Sequence, residues 1–221
     1  MDTVLATQDD APLIILHDLL SNKKQWSSIG KTINNLSKRA VITVDLRNHG
    51  KSPHTRSNTY EEMTADLQKL LQKLSIEKAY FLGHGIGGKA TMCTALLAPE
   101  AVAGMMIIDI SPASSPKQFQ DLYAEILTSM KEIKFKSGST LVTAKSEAKK
   151  ILKNSKFDDL TVDVILSNIV LKTHNIVGWS CNLDVLIKYF HYVVSFPKNL
   201  KGKIYYGPTI FIGGQLSEFL P

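Results

Sequence analysis

Cysteine is scarce in this chain: Cys93 and Cys181 are the only two in 221 residues. A single pair is too few for the disulfide framework of a small secreted domain or for a zinc cluster, so both thiols are expected to be free, in a reducing compartment. Long apolar runs are missing as well. The longest, such as Met105–Ile108, fall far short of the ~20 residues a membrane-spanning helix needs. The first ten residues, MDTVLATQDD, lack a basic start and an apolar core, so they do not read as a secretory or transit peptide, and a cytoplasmic location is the expectation. Compositional bias is absent too. With 44% hydrophobic and 21% charged residues, the chain is neither fibrous nor disordered, and its length suits one domain.

What the chain has in excess is positive charge in one place. Between Lys131 and Lys156 stand eight lysines against two acids, Glu132 and Glu147, a surplus equal to the net +6 of the whole chain. Such a stretch can meet anionic lipid or nucleic acid, but it lacks the aromatic interleaving that stacks bases. Nucleic acid is therefore not an expected partner, and a solvated helix face is the expected reading.

The first half alternates strand and helix. Short apolar runs at Leu13–Leu16, Ala40–Val44, Ala79–Leu82 and Met105–Ile110 read as buried strands. Trp26, Ile29, Ile33 and Leu36 repeat at helical spacing. Thr59 and Glu62 form a capping box before a helix whose apolar face is Met63, Leu67, Leu70, Leu71 and Leu74. Ile86–Leu97 reads as a further helix, closed by Pro99. This alternation implies right-handed crossovers and an α/β fold with a mostly parallel sheet. From 111 to 197 the pattern changes to four helix-like stretches, near Phe119–Met130, Thr143–Leu152, Leu160–Leu171 and Leu183–Val193, with no strand expected among them. Thr209–Ile212 then returns as one more strand. The expected layout is a single domain, 1–221, with a core of 1–110 and 198–221 and a helical cap of 111–197.

Gly83-His84-Gly85-Ile86-Gly87-Gly88 joins a strand to a helix and admits two chemical readings. Gly83, Gly85 and Gly88 satisfy the dinucleotide fingerprint G-x-G-x-x-G, with Asp109 ending the next strand where a ribose-binding acid would stand. Gly83, Gly85 and Gly87 equally satisfy a nucleophile elbow, G-x-S-x-G, whose central serine has been replaced. A bare strand-to-helix turn is the third possibility, and the glycines alone leave all three open.

The surrounding segments add context. His17-Asp18 follows the first strand, and Asp45-Leu-Arg-Asn-His-Gly-Lys-Ser52 follows the second, matching D-x-R-x-H-G-x-S. Gly83–Lys89 parallels G-H-S-M-G-G-K, and Ile108-Asp-Ile-Ser-Pro112 parallels D-I-S-P. Asn182-Leu183-Asp184 and Gly207-Pro208-Thr209 with Gly213-Gly214 continue the series. Together these resemble the α/β-hydrolase-fold family in its esterase and lipase branch, over roughly Leu13 to Phe219.

The resemblance implies a serine hydrolase acting on carboxylic esters or lipids, without cofactor or metal, and it suggests a mitochondrial location. It puts the nucleophile at position 85, the oxyanion donors at the backbone N–H groups of Leu19 and Ile86, and the triad acid at Asp109. Asp184 is the alternative acid and Glu218 a weaker third.

Three departures bear on this. Position 85 is glycine, so the nucleophile place is vacant. None of the six histidines (17, 49, 54, 84, 174, 191) follows the strand at 209–212, where the family has a further strand, a helix and the triad histidine; His191, on an apolar helix, is expected to be packed. Asp18 replaces the glycine of the oxyanion loop. The resulting expectation is an inactive or impaired relative that retains binding of an acyl ligand or a protein partner. An active ester hydrolase, or part of one, is the alternative, and dinucleotide binding is a lesser one. Self-association through an uncovered edge strand is also expected.

Overall fold

The computed structural model describes residues 11–153, 155, 157–215 and 217. Strand β1 (Leu13–Leu16) is buried at all four positions. A short 3-10 turn at Lys23–Trp26 leads into helix α1 (Ser27–Ser37), which ends on Lys38 in the left-handed region (φ 58°). Strand β2 (Val41–Val44) follows, then helix α2 (Tyr60–Lys73). Thr59 Oγ1 accepts from the N–H of Glu62, and the Glu62 carboxylate accepts from the N–H of Thr59. This capping box satisfies two otherwise open helix donors, each such cap being worth ~1 kcal/mol. Strand β3 (Ala79–His84), helix α3 (Ile86–Leu97) and strand β4 (Val102–Ile108) complete the first half.

After β4 come helices α4 (Lys117–Glu132), α5 (Leu141–Leu152) and α6 (Asp159–Ser167). Here the structure departs from the expected all-helical segment. The stretch read as a helix through Leu171 stops at Ser167, and β5 (Ile169–Leu171) pairs antiparallel with β6 (Val177–Trp179). Three-residue strands are too short to carry a period, and the turn between them uses His174 and Asn175 at positive φ instead of glycine. The expected helix at 183–193 is two pieces, α7 (Leu183–Lys188) and α8 (Phe190–Val194), broken at Tyr189. Strand β7 (Thr209–Ile212) closes the series.

The main sheet has the order β2-β1-β3-β4-β7 with every pair parallel. Alternation along the strands sorts the side chains onto two faces. Ile14, Leu16 and Phe81 meet Met63 and Leu67 of α2 and Ala90 and Cys93 of α3, while Leu13, Ile15 and Leu82 meet Trp26 and Ile33. On α1 the expected apolar face is only partly used: Leu36 is 82% exposed. Strand β4 begins earlier than expected and ends before Asp109, which adopts φ 55°. The strand order reverses between β1 and β3, so the carboxyl ends of these two strands form the crevice where open α/β sheets place their ligands.

Candidate active site

Two loops meet in that crevice: His17–Ser21 after β1 and the turn from β3 into α3. Gly85 is the pivot of the turn, with φ 53° and ψ −121°, a conformation closed to nearly every residue with a side chain unless the surroundings impose it. The N–H of Gly85 donates to the Ile108 carbonyl (3.2 Å), and its carbonyl accepts from Gly88 and Lys89 as α3 begins.

The first N–H of α3 has an unexpected partner. The Asp18 carboxylate accepts a 2.9 Å hydrogen bond from the N–H of Ile86, and a Cβ built on Gly85 would overlap that same carboxylate. The other carboxylate oxygen receives the hydroxyl of Tyr123 (3.4 Å), whose ionisation is pushed well up by burial and by the neighbouring charge of Asp18. A helix N-terminus favours an anion, by ~0.3–1 kcal/mol at exposed sites. Here the protein supplies the anion itself.

Two histidines at this crevice, His17 and His49, are structural partners, and His84 at the end of β3 packs its ring edge-on against Trp26 (6.1 Å). His17 Nε2 accepts from the N–H of Leu46 (3.0 Å) and its Nδ1 donates to the carbonyl of Asp18 (2.7 Å). His49 Nε2 accepts from the N–H of Leu20 (3.3 Å) and its Nδ1 donates to the carbonyl of Arg47 (2.9 Å). The two rings lie edge-on at 5.1 Å and are fully buried. Burial lowers both pKa values, His49 to about 3. Each ring therefore stitches the loop after β1 to the loop after β2, with both nitrogens engaged.

The second loop is anchored by its own motif. Asp45 accepts from the N–H groups of Lys23 (2.8 Å) and Lys51 (2.9 Å). Arg47 grips Asp66 of α2 through two nitrogens (2.7 and 2.9 Å). Burial opposes the Arg47 charge, but Asp66 and Glu62 outweigh it and raise its pKa.

The acid candidates separate clearly. Asp109 follows Ile108, the residue bonded to Gly85; it is half-buried, its N–H donates to the Ile212 carbonyl (2.8 Å), and its carboxylate accepts from the N–H of Gly214 (3.2 Å). Asp184 is instead 74% exposed and paired with Lys131 of α4. Glu218 lies outside the described residues. In the Asn182–Asp184 motif the structural weight falls on Asn182, which donates to the Asn48 side chain (3.2 Å) and the Thr55 carbonyl (3.0 Å). His191 is exposed rather than packed, its ring 4.3 Å from that of Tyr192.

Sequence reading gave no role to Lys89, which is 1% exposed and whose ammonium rests on oxygens: Ser115 Oγ (3.1 Å), the Val194 carbonyl (2.9 Å) and the Ser195 carbonyl (3.3 Å). Burial lowers its pKa to about 8. Lys89 thus ties α3 to both ends of the 115–195 segment. In the sequence only its place directly after Gly87-Gly88 in the strand-to-helix motif hinted at this, and nothing in the spacing named its partners.

Residues 11–157 match the model of the alpha/beta hydrolase fold. The chain is 34% identical over 212 residues to an sn-1-specific diacylglycerol lipase ABHD11 of Danio rerio, covering 96% of this chain and 65% of that protein. The protein of the same name from Xenopus laevis is 31% identical over 95% of this chain and 65% of its own length. This chain therefore spans about two thirds of the length of these relatives. Among solved structures, a marine microorganism esterase superposes with a TM-score of 0.85 at 27% identity, over 97% of this chain and 80% of that one. A family model over most of the chain, relatives at this identity and a shared parallel sheet lead to one conclusion: the chain belongs to the α/β-hydrolase fold family.

Proposed function

We propose that this chain is a non-hydrolysing member of the esterase and lipase branch, with its reaction centre occupied by Asp18. In this reading position 85 is the vacant nucleophile place, Ile86 and Leu19 hold the oxyanion donors, Asp109 is the acid position and Asp184 a surface residue. The observation that carries it is the Asp18 carboxylate at the N–H of Ile86, in the space a side chain at 85 would fill. An ester carbonyl developing negative charge there would have to displace a carboxylate, so the electrostatic term that usually contributes most to acyl transfer is reversed in sign. The missing serine hydroxyl alone costs about 10⁶ in rate in a comparable triad enzyme. What the donors and binding could still supply is ~10³–10⁴ over water.

The engaged N–H groups also speak against a dinucleotide at Gly83, Gly85 and Gly88. A pyrophosphate needs the donors that Ile108 and Asp18 already hold. The function that remains is binding of an acyl ligand or a protein partner, with the 111–197 segment as the cap: Tyr123, Asn168 and Asn182 reach from it to Asp18, Leu20 and Asn48. Exposed β7 supports self-association, which a light-scattering concentration series tests.

The relatives named as diacylglycerol lipases favour a second reading, an active ester or lipid hydrolase. Fluorophosphonate labelling and nitrophenyl-ester hydrolysis separate the two. No labelling and no turnover is the expected outcome for the chain and for Gly85→Ser. Stoichiometric labelling of the unaltered chain, lost on changing a serine elsewhere, would establish the active reading.

A further inference from the structure

Away from the elbow, a cleft of about 450 Å³ opens between the end of α4, the β5–β6 hairpin and the start of α7. Its walls carry Lys131, Lys134 and Lys172, with His54 at one side and a single carboxylate, Asp184. That carboxylate is already matched by Lys131. Lys134 donates to the Lys131 carbonyl (3.0 Å), and neither it nor Lys172 has a carboxylate partner among the described residues. The cleft thus holds two uncompensated ammonium groups facing one concavity.

Its floor is aromatic. Phe135 and Trp179 pack edge-to-face with centroids 5.2 Å apart and both line the cleft. Phe135 comes from the lysine-rich stretch and Trp179 from the hairpin, so the pairing exists only in the fold. A solvated helix face has neither a concavity nor an apolar floor. Lys131 and Lys134 bring part of the positive surplus of residues 131–156 to the cleft wall, where a net positive lining draws anions.

We infer that this cleft is a binding site for a phosphate monoester, with the phosphate on Lys134 and Lys172 and the ester's organic body against Phe135 and Trp179. Lysine ammoniums act on phosphate as point charges and need no bidentate geometry, which suits two flexible side chains converging from different elements. The aromatic floor selects for an organic body beyond the bare anion. Cys181, which also lines the cleft, stays a thiol, burial pushing it up to about 12, so it adds no negative charge that would repel a phosphate.

The same group could arrive on a soluble metabolite or as a lipid headgroup, and the test separates them. The two tryptophan indole N–H signals are followed by NMR in the whole chain during titration with inorganic phosphate, glycerol 3-phosphate, phenyl phosphate and matched sodium chloride. Vesicles of phosphatidylcholine with and without phosphatidic acid form the second arm, read by co-sedimentation. Expected is a saturable shift of Trp179 with Trp26 still, tightest for phenyl phosphate. The Lys134→Ala/Lys172→Ala pair weakens it about tenfold or more, as loss of charge-assisted contacts requires. Lys145→Ala/Lys149→Ala removes equal charge outside the cleft and leaves it nearly unchanged. Binding only to phosphatidic acid vesicles, with the same mutational pattern, assigns the group to a lipid. Equal losses from both lysine pairs, a chloride response of the same size, or no response in either arm would overturn the proposal.

Discussion

Strands β1 and β7 are four residues each, LIIL and TIFI, and lie in the same parallel sheet. Every residue of β1 is buried, and every residue of β7 is exposed. Composition cannot tell them apart. Position does: β1 pairs with both β2 and β3 and has helices on both faces, whereas among the described residues β7 pairs with β4 alone and keeps Ile210, Phe211 and Ile212 about half exposed (55, 56 and 48%). An apolar strand is stabilising to the extent that something covers it. The same contrast separates the two ends of the sheet chemically, since His17 and Asp18 after β1 are held by Leu46, Ile86 and Tyr123 while, among the described residues, nothing pairs with the outer edge of β7.

The sharpest way to break this comparison is to remove the same side chain from both strands. Ile15→Ala on β1, at 0% exposure, should cost about 2–5 kcal/mol from lost transfer and cavity terms. Ile212→Ala on β7 should cost less than about 1 kcal/mol, as half-exposed methyl groups lose little. Urea unfolding of both variants measures the difference; equal costs would mean that β7 is covered in solution.

A second test concerns the buried imidazoles that lock the loop after β1. His17 and His49 have folded pKa values below 6.5, His49 at about 3. Between those values and 6.5 the unfolded chain binds more protons than the folded one, so stability falls as pH drops below about 6.5. For His49 alone the loss between pH 7 and pH 5 is about 2 kcal/mol, and His17 adds to it in the same direction. The midpoint of urea unfolding should fall over that interval. A flat midpoint would show that the rings are solvated or already charged in the native state.

These two locks also show what the sequence could reveal. The capping box and the strand–turn–helix at Gly83–Lys89 announce themselves through local spacing and appear where the spacing puts them, and the strand runs do so to within a few residues, β4 running from Val102 to Ile108. The β5–β6 hairpin does not, because three-residue strands and a glycine-free turn carry no periodic signal. At the site, Gly85 and Asp18 were both visible as departures from the family pattern. Their mutual fit was not, since it depends on two loops 67 residues apart meeting at one N–H (Asp18 and Gly85; Ile86). Lys89, Phe135 and Trp179 gain meaning only from partners that folding brings to them.

That mutual fit is open to a double-mutant cycle. Gly85→Ser puts a side chain at positive φ and against the Asp18 carboxylate, and should cost about 1–3 kcal/mol. Asp18→Gly first empties the space, so the serine should then cost at least about 1 kcal/mol less, a coupling of the size expected for residues in contact. Additive losses would show that Asp18 swings aside freely and does not hold the elbow. Neither variant should hydrolyse a nitrophenyl ester, because both nitrogens of His17 and His49 remain engaged and a weak serine nucleophile needs a base; turnover by Gly85→Ser would make His84, whose ring packs on Trp26, the first group to test.

The smallest effect belongs to the other acid candidate. Asp184 and Lys131 form an ion pair between side chains that are 74% and 53% exposed. Pairs of this kind contribute a few tenths of a kcal/mol, because water screens the attraction and ordering two flexible side chains offsets much of it. Asp184→Asn should therefore change the unfolding free energy by less than about 0.5 kcal/mol, with the remaining coupling fading as salt rises past the screening range. Asp109→Asn is the informative contrast. Its carboxylate holds the N–H of Gly214 and its backbone sits at φ 55° between β4 and β7, so the amide keeps one acceptor and a modest loss of about 0.5–1.5 kcal/mol is expected from the weakened charge-assisted bond. Urea titrations of the two variants at low and high salt decide the ranking. A larger loss at Asp184 would show that its pair with Lys131 is stronger than exposed ion pairs are and that the 3.2 Å bond from Gly214 contributes little.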